Sequence, residues 1–377
     1  MNKHADVLVI GGGIVGTSCT YFLAKAGINV ILLEKNRLGQ HASGTNFGNI
    51  RRQGRPMTQL AMAARANNFW RSAKEVVGVD LEFRPVGHIR IAYKNNKGAE
   101  AAFVNYAEQA KEYDLDLEIL SKADLKKRYP FFSDEVEVGS LSPADGHANP
   151  RLVSPAFGRA AQFHGAEIIE DTAVHKIETY GSGFIVHCSN SIAIRAEKLV
   201  IASGVWSSGL TSEFGESVSL TSFGPTMSVT EPCTYAIAPS VGVYTSNEYE
   251  SIYFRQIERG NIIIGGSYRS IGQPSTGHTK VRPENVLSQW QQIHRLAPEI
   301  AKLNVIRTWT GTEGYTPDGQ PIIGPSKTTP NLFYGFGFSG AGFQIGPGVG
   351  ETLAELITEG KTTIDLAPFS IGRFTTN

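Results

Sequence analysis

The chain has 377 residues, 41% of them apolar and 19% charged, which excludes a disordered polymer and suits two domains or one composite domain. Its 35 basic residues balance its 35 acidic ones, so no net field draws it to nucleic acid or to an anionic membrane, and small-molecule chemistry is the default. The three cysteines, Cys19, Cys188 and Cys233, form no CxxC pair that would hold a disulfide framework, zinc or an iron–sulfur cluster, and no apolar run is long enough to span a membrane; a cytoplasmic location is expected.

Residues 7–10 are a continuous apolar run, the pattern of a strand buried on both faces. Residues 14–26 have helical spacing and stop at Gly27, a suitable C-cap, and 29–33 repeat the buried-strand pattern. The turn between the first strand and the helix holds Gly11, Gly13 and Gly16 in GxGxxG register. Glycines at this spacing make a tight turn, admit a phosphate, and let the helix pack on the strand, so that backbone N–H groups face an anion. Glu34 closes the second strand, where a carboxylate accepts ribose hydroxyls. The bland alternative is a turn whose glycines serve packing alone; the two strands and the acid together favour a dinucleotide.

An enzyme using NAD continues with alternating strands and helices. Here "RLGQHASGTNFGNIRRQGR" follows instead, a polar loop carrying Arg51, Arg52 and Arg55, which indicates a different dinucleotide. The stripe of Leu60, Ala64, Asn67 and Trp70 reads as helical core packing. "EFRPVGHIRIAY" reads as a strand, Ala101, Ala102, Tyr106 and Ala110 as one helix face, and "KADLKKRYPFF" as a further helical turn. "KLVIASGVWSSGL" is another apolar strand entering a turn at Gly204, and "SIYFRQIERGNIIIGGS" is a hairpin around Arg259 and Gly260. Near the end, "NLFYGFGFSGAGFQIGPGVGETLAELI" gives a strand, a glycine loop and a helix starting near Gly346 or Pro347. Clusters within the 41 glycines, including 335–350 and Gly265–Gly266, suggest several segments around one ligand.

Four stretches, GGGIVG with Glu34–Lys35, "HASGTNFGNIR", "LVIASGVWS", and "GYTPDGQPIIGPS" followed by "GFSGAGFQIGPGVG", occur in this order over nearly the whole chain. In them the chain resembles the flavin-dependent amine and amino-acid oxidoreductases of the D-amino-acid oxidase superfamily. The resemblance implies an α/β fold: a Rossmann-like FAD-binding domain of the glutathione-reductase type, discontinuous over 1–80, 145–215 and 305–377. An antiparallel-sheet substrate domain would be inserted as 81–144 and 216–304. It implies that Gly11, Gly13, Ile14, Val15 and Gly16 hold the pyrophosphate, that Glu34 and Lys35 hold the adenosine ribose end, and that Val174 lies near the adenine. It further implies that Ser43, Gly44, Asn46, Gly48, Asn49 and Ile50 lie along phosphate and isoalloxazine. Ser203, Gly204 and Trp206 would support the cofactor, and Gly311 with the Gly340, Ala341, Gly342, Phe343 and Gln344 loop would reach the flavin ring.

Subgroups differ in what lies over the flavin. Where monomeric sarcosine oxidases carry a flavin-tethering cysteine this chain has Gly311, so non-covalent FAD is expected. Where glycine oxidases and D-amino-acid oxidases carry a carboxylate-binding arginine it has Glu313. The form "WTGTEGYTPDGQP" is similar instead to the catalytic β-type subunits of hetero-oligomeric opine oxidase, D-hydroxyproline dehydrogenase, sarcosine oxidase and hydrogen cyanide synthase. That implies hydride transfer from a secondary or substituted amine to flavin N5, giving an imine, with electrons leaving through a companion chain. A stand-alone oxidase using O2 and releasing peroxide is the alternative. A substrate carboxylate needs a cation: Arg51, or Arg255 with Tyr253 on the hairpin strand, would be the clamp, or else each serves an ion pair unrelated to substrate. Glu313 would meet a cationic group on the substrate or orient its loop, with Tyr315 beside it. His41 and His147 read as solvated loop residues, and no metal is implied.

Overall fold

The computed structural model describes residues 3–189, 191–275, 277 and 279–374. One sheet is centred on the N-terminal strand Lys3–Ile10 and runs in the order Ile322–Pro325, Leu332–Phe336, Ala193–Ile201, Lys3–Ile10, Val30–Leu33, Glu167–Ile169. All neighbours but the first pair are parallel. The unbroken apolar runs follow from burial of both faces. Val7, Val9, Val30 and Leu32 enter a core under the helices Ile14–Lys25, Met57–Arg71, Pro150–Phe163 and Gly342–Glu359, while Leu8, Ile10, Ile31 and Leu33 enter a second core under the Val174–Tyr180 and Gly183–Cys188 ribbon. The predicted helical stripe behaves as core: Leu60, Asn67 and Trp70 are buried, and Trp70 donates its indole N–H to the Gln344 carbonyl at 2.8 Å.

The last helix begins at Gly342, a turn earlier than its proline suggests, and Pro347 lies inside it. Ser18 Oγ donates to the Gly346 carbonyl at 3.2 Å. A Cβ on Gly348 would stand 2.8 Å from Ala66 N, and one on Gly350 2.5 Å from Cys19 N. These two glycines therefore serve helix–helix packing and do not surround a ligand.

The second sheet has nine strands in the order Val305–Thr310, Thr221–Pro232, Asn261–Ile271, Ile252–Gln256, Ser240–Val243, His88–Tyr93, Val136–Ser142, Glu118–Ser121, with Glu313–Tyr315 also pairing to Thr221–Pro232. Two features differ from the sequence reading. Ser240–Val243 and His88–Tyr93 run parallel, because they come from separate chain segments with no hairpin between them. Strands 305–310 and 313–315, expected in the nucleotide domain, pair in this sheet. A small two-stranded sheet, Asn49–Ile50 with Gly146–His147, ties the arginine loop between the two large sheets.

Candidate active site

A cavity of about 900 Å³ runs from Glu34 and Thr172–Val174, past Gly11 and Gly13, to the face of the second sheet. At its first end the GxGxxG turn is shaped by contacts only glycine permits. Gly11 has φ +112°, and a Cβ there would meet the Ala202 carbonyl oxygen at 2.5 Å; a Cβ on Gly16 would meet the Gly11 carbonyl oxygen at 1.9 Å. Gly13 is different. It faces the cavity and would meet only Ser43 Oγ, at 3.0 Å. Ser43 Oγ accepts the Ile14 N–H at 2.9 Å, which puts a hydroxyl at the helix N-terminus beside the turn.

Glu34 accepts the N–H groups of Gly12 at 2.7 Å and Asn36 at 2.8 Å, one on each oxygen. Burial raises its pKa and those two donors oppose the rise. Each oxygen keeps a lone pair for a ribose hydroxyl. Lys35 Nζ sits 3.1 Å from the centre of the Trp206 ring, and the Trp206 indole donates to the Pro274 carbonyl at 2.8 Å. His41 is not a loose surface residue: its Nε2 meets Asn36 Nδ2 at 2.8 Å and its ring packs on Trp206. Elongated, lined with glycine at its narrow turn and with a buried carboxylate at one end, this half of the cavity fits an adenine dinucleotide.

At the other end, the register across the second sheet sets Ser140, Arg90, Gly242, Tyr253, Gly265, Met227 and Trp309 in one row, with Arg90, Gly242, Tyr253 and Met227 lining the cavity. The glycines make room for their large neighbours: a Cβ on Gly265 would lie 2.3 Å from the Tyr253 ring and 2.6 Å from Met227 Sδ. Tyr315 donates its hydroxyl to Glu313 Oε2 at 2.9 Å, and a Cβ on Gly340 would be 3.7 Å from that same oxygen. Burial raises the Glu313 pKa, opposed by the Tyr315 hydrogen bond and the Arg269 charge. Arg269 covers the Tyr315 ring at 5.0 Å and pairs with Glu248 at 3.2 Å.

Arg51, Arg55 and Arg90 line the facing wall. Asp145 fixes their loop by accepting the N–H groups of Arg52 at 2.9 Å and Gln53 at 3.1 Å. The sequence reading named Arg51 but missed Arg55 as a site residue, and Arg90 and Arg269 altogether. Arg90 alternates with His88 on the cavity face of a strand whose relation to the arginine loop only the tertiary fold sets.

Of the residues singled out from sequence, Arg51, Tyr253, Glu313, Gly11, Gly13, Ile14, Val15, Glu34, Lys35, Ser43, Asn46, Gly48 and Asn49 line the cavity, as do Val174, Ser203, Gly204, Trp206 and Gly340 to Gln344. Gly16, Gly44, Ile50, Gly311 and Arg255 do not. Gly16 packs on Gly11 and Gly44 on Gly39, Ile50 is in the core, and a Cβ on Gly311 would meet Thr45 Oγ1 at 2.2 Å. Arg255 points along the same sheet face as Tyr253 but is covered by the small sheet. Its Nε donates to the Phe47 carbonyl at 2.8 Å and its Nη1 meets His147 Nδ1 at 3.1 Å. His147 is therefore buried rather than solvated, and burial together with the Arg255 charge drives its pKa far down.

A parallel sheet with a glycine-rich phosphate turn, joined to a second sheet whose face closes the other end of one cavity, defines a dinucleotide-dependent oxidoreductase. The chain belongs to the FAD dependent oxidoreductase (DAO) family, whose sequence profile matches residues 6–356. Its cofactor is FAD, and it is a flavin oxidoreductase of the kind that acts on amino-acid CH–NH or CH–NH2 donors. It is 28% identical to a subunit of the opine oxidase of Rhizobium meliloti, over 98% of both chains. It is 26% identical to the formaldehyde-forming 4-methylaminobutanoate oxidase of Paenarthrobacter nicotinovorans over 98% of its own length, and spans 46% of that protein. L-Proline dehydrogenase from P. horikoshii superposes with a TM-score of 0.90 at 27% identity, covering 99% of this chain and 98% of that one. Among the described residues no helix is long and apolar enough to cross a membrane.

Proposed function

We propose that the protein oxidises the C–N bond of an amino acid bearing a secondary or substituted amine, with FAD held non-covalently and electrons passed on to a companion chain. The observation that carries this reading is that Arg51, Tyr253 and Glu313 all line the one cavity, with Glu313 beside Gly340. FAD, when bound, supplies a two-electron acceptor. Gly11, Gly13 and Ser43 hold its pyrophosphate, Glu34 its ribose, and the Gly340 loop its ring. None of Cys19, Cys188 and Cys233 lines the cavity, which supports a non-covalent cofactor.

Arg51 orients the substrate carboxylate and so sets the α-carbon hydrogen in place. Glu313 meets the amine. Because burial favours its neutral acid form, transfer of a proton from an incoming ammonium to Glu313 leaves both groups uncharged, and the amine is then able to give up electrons. Loss of a hydride from carbon and a proton from nitrogen gives an imine; water adds and the C–N bond splits to a carbonyl compound and a free amine. The similarity to one chain of an opine oxidase supports the companion chain. Pairing of strands 305–310 and 313–315 with the second sheet supports a nucleotide-binding part of 1–80, 145–215 and roughly 316–374, with 81–144 and 216–315 as the substrate part.

Anaerobic bleaching of the flavin-loaded chain by opines, hydroxyproline, sarcosine and simple amino acids, followed by air, tests the proposal. Bleaching by a secondary-amine acid with slow reoxidation is expected. Rapid reoxidation with peroxide would replace the companion chain by O2, and bleaching by primary amino acids alone would overturn the substrate class.

A further inference from the structure

Charge on the arginine wall exceeds what one substrate carboxylate balances. Arg51 and Arg90 approach each other across Gly54: a Cβ there would lie 2.1 Å from Arg90 Nη1 and 3.0 Å from Arg51 Nη1. Gly54 has φ +71°, so the backbone and the side chains around it both favour glycine, and the two guanidiniums close over it. In the sheet Arg90 stands between Ser140 and Gly242, both small, leaving its side chain room to enter the cavity.

The three arginines differ in what they already bind. Arg55 is a strut: its Nε donates to the Arg51 carbonyl at 2.9 Å, Nη1 to Gln59 at 3.2 Å and Nη2 to the Ala341 carbonyl at 3.2 Å, linking the arginine loop to the Gly340 loop. Among the described residues the Arg51 side chain donates only to the Gln53 carbonyl. The Arg90 side chain has no hydrogen-bond or ion-pair partner among the described residues and rests on the Tyr244 ring at 4.8 Å. The carboxylate whose charge reaches Arg51 and Arg55, Asp145, is engaged by two backbone N–H groups and by Arg52 Nε at 3.7 Å. Grouped guanidiniums facing a cavity without carboxylate partners repel one another and await an anion. Burial and the Arg51 charge both lower the pKa of Arg55 and Arg90.

We infer that the amine oxidised here carries two carboxylates: one on the reacting carbon, oriented by Arg51, and a second on the N-substituent, held by Arg90 with Arg51 between the two. This rests on the amine-oxidising reading above and narrows it to N-(carboxyalkyl) amino acids, against N-methyl amino acids and cyclic monocarboxylates.

The matched pair N-(carboxymethyl)alanine and N-ethylalanine tests it on the flavin-loaded full-length chain without any substitution. The dicarboxylate should bleach the flavin at a concentration at least ~10-fold lower, as a charge-assisted bond of about 1.5–3 kcal/mol requires. The non-oxidisable succinate should perturb the flavin spectrum at concentrations where propionate does not. In Arg90→Gln the preference for the dicarboxylate should collapse, and retained flavin and an unchanged melting temperature would show that the variant is folded. Equal or better bleaching by N-ethylalanine overturns the inference and leaves amine oxidation standing. If neither compound bleaches the flavin but sarcosine or hydroxyproline does, the inference fails and amine oxidation stands; if no amine in the wider panel bleaches it, the amine-oxidising reading fails and this inference with it.

Discussion

Gly11 and Gly13 separate what the fold requires of the phosphate turn from what a bound dinucleotide requires. In Gly11→Ala the new Cβ would lie 2.5, 2.7 and 2.9 Å from Ala202 O, Ala202 C and Ser203 Cα, all backbone atoms of the neighbouring strand end, at φ +112°. Positive φ in a residue with Cβ costs about 1–2 kcal/mol, and overpacking costs a further ~1–3 kcal/mol, so a loss of about 2–5 kcal/mol is expected. Gly13→Ala carries neither cost. Its φ of −73° suits any residue, and its Cβ would touch only Ser43 Oγ at 3.0 Å. What remains is the poorer N-cap preference of alanine, on the order of 0.5–1 kcal/mol.

The Gly13 Cβ would instead enter the cavity where the pyrophosphate is proposed to lie. Losing one or two charge-assisted hydrogen bonds of about 1.5–3 kcal/mol each weakens FAD binding by roughly 10-fold or more. Thermal melting of deflavinated protein and calorimetric FAD titration measure the two quantities separately. Gly13→Ala should melt close to wild type and bind FAD weakly, whereas Gly11→Ala should melt well below it. If Gly13→Ala bound FAD as the wild type does, the turn would not face the phosphates; if Gly11→Ala melted unchanged, the steric argument would be wrong.

Arg255→Met should destabilise the fold, by ~2–4 kcal/mol in denaturant unfolding, because the Phe47 carbonyl and His147 lose a buried partner, and the KM ratio between carboxylated substrates should not change. Arg51→Ala should raise KM for a carboxylated amine at least ~10-fold while FAD stays bound; an unchanged KM would remove Arg51 from the site. Glu313→Gln gives a pH signature. The folded-state pKa of Glu313 is raised, so the native state holds this proton more tightly than the unfolded chain, and its ionisation costs stability as pH rises above the ordinary carboxylate range. The variant should therefore melt a few degrees above wild type at pH 7 and lose that advantage toward pH 4, and a pH-independent difference would contradict the burial of the charge.

The nucleotide half was legible because its signals are local. Strand, glycine turn, helix and acid lie within residues 7–34, so their spacing can be read directly, even though the contact that demands glycine at position 11 is with Ala202, distant in sequence. Spacing misled at Gly348 and Gly350, which resemble a continuation of the ligand loop but serve contacts with Ser18, Cys19 and Ala66, far away in sequence. Arg255 illustrates the limit of periodicity: alternation correctly pairs it with Tyr253 on one sheet face, yet cannot reveal that the Asn49–Ile50 and Gly146–His147 ribbon covers it.

By itself the sequence determined the glycine turn, the paired buried strands, the family motifs and thereby FAD, since these depend on short-range stereochemistry and on residue types at fixed spacing. Only the tertiary structure decided which charges share the cavity. It brought Arg90 from the first insert against Arg51 across Gly54, set Glu313 from the second sheet beside the Gly340 loop, and withdrew Arg255 into a covered pocket. Charges on separate chain segments meet only after sheet register and packing are fixed, and no local pattern encodes that distance.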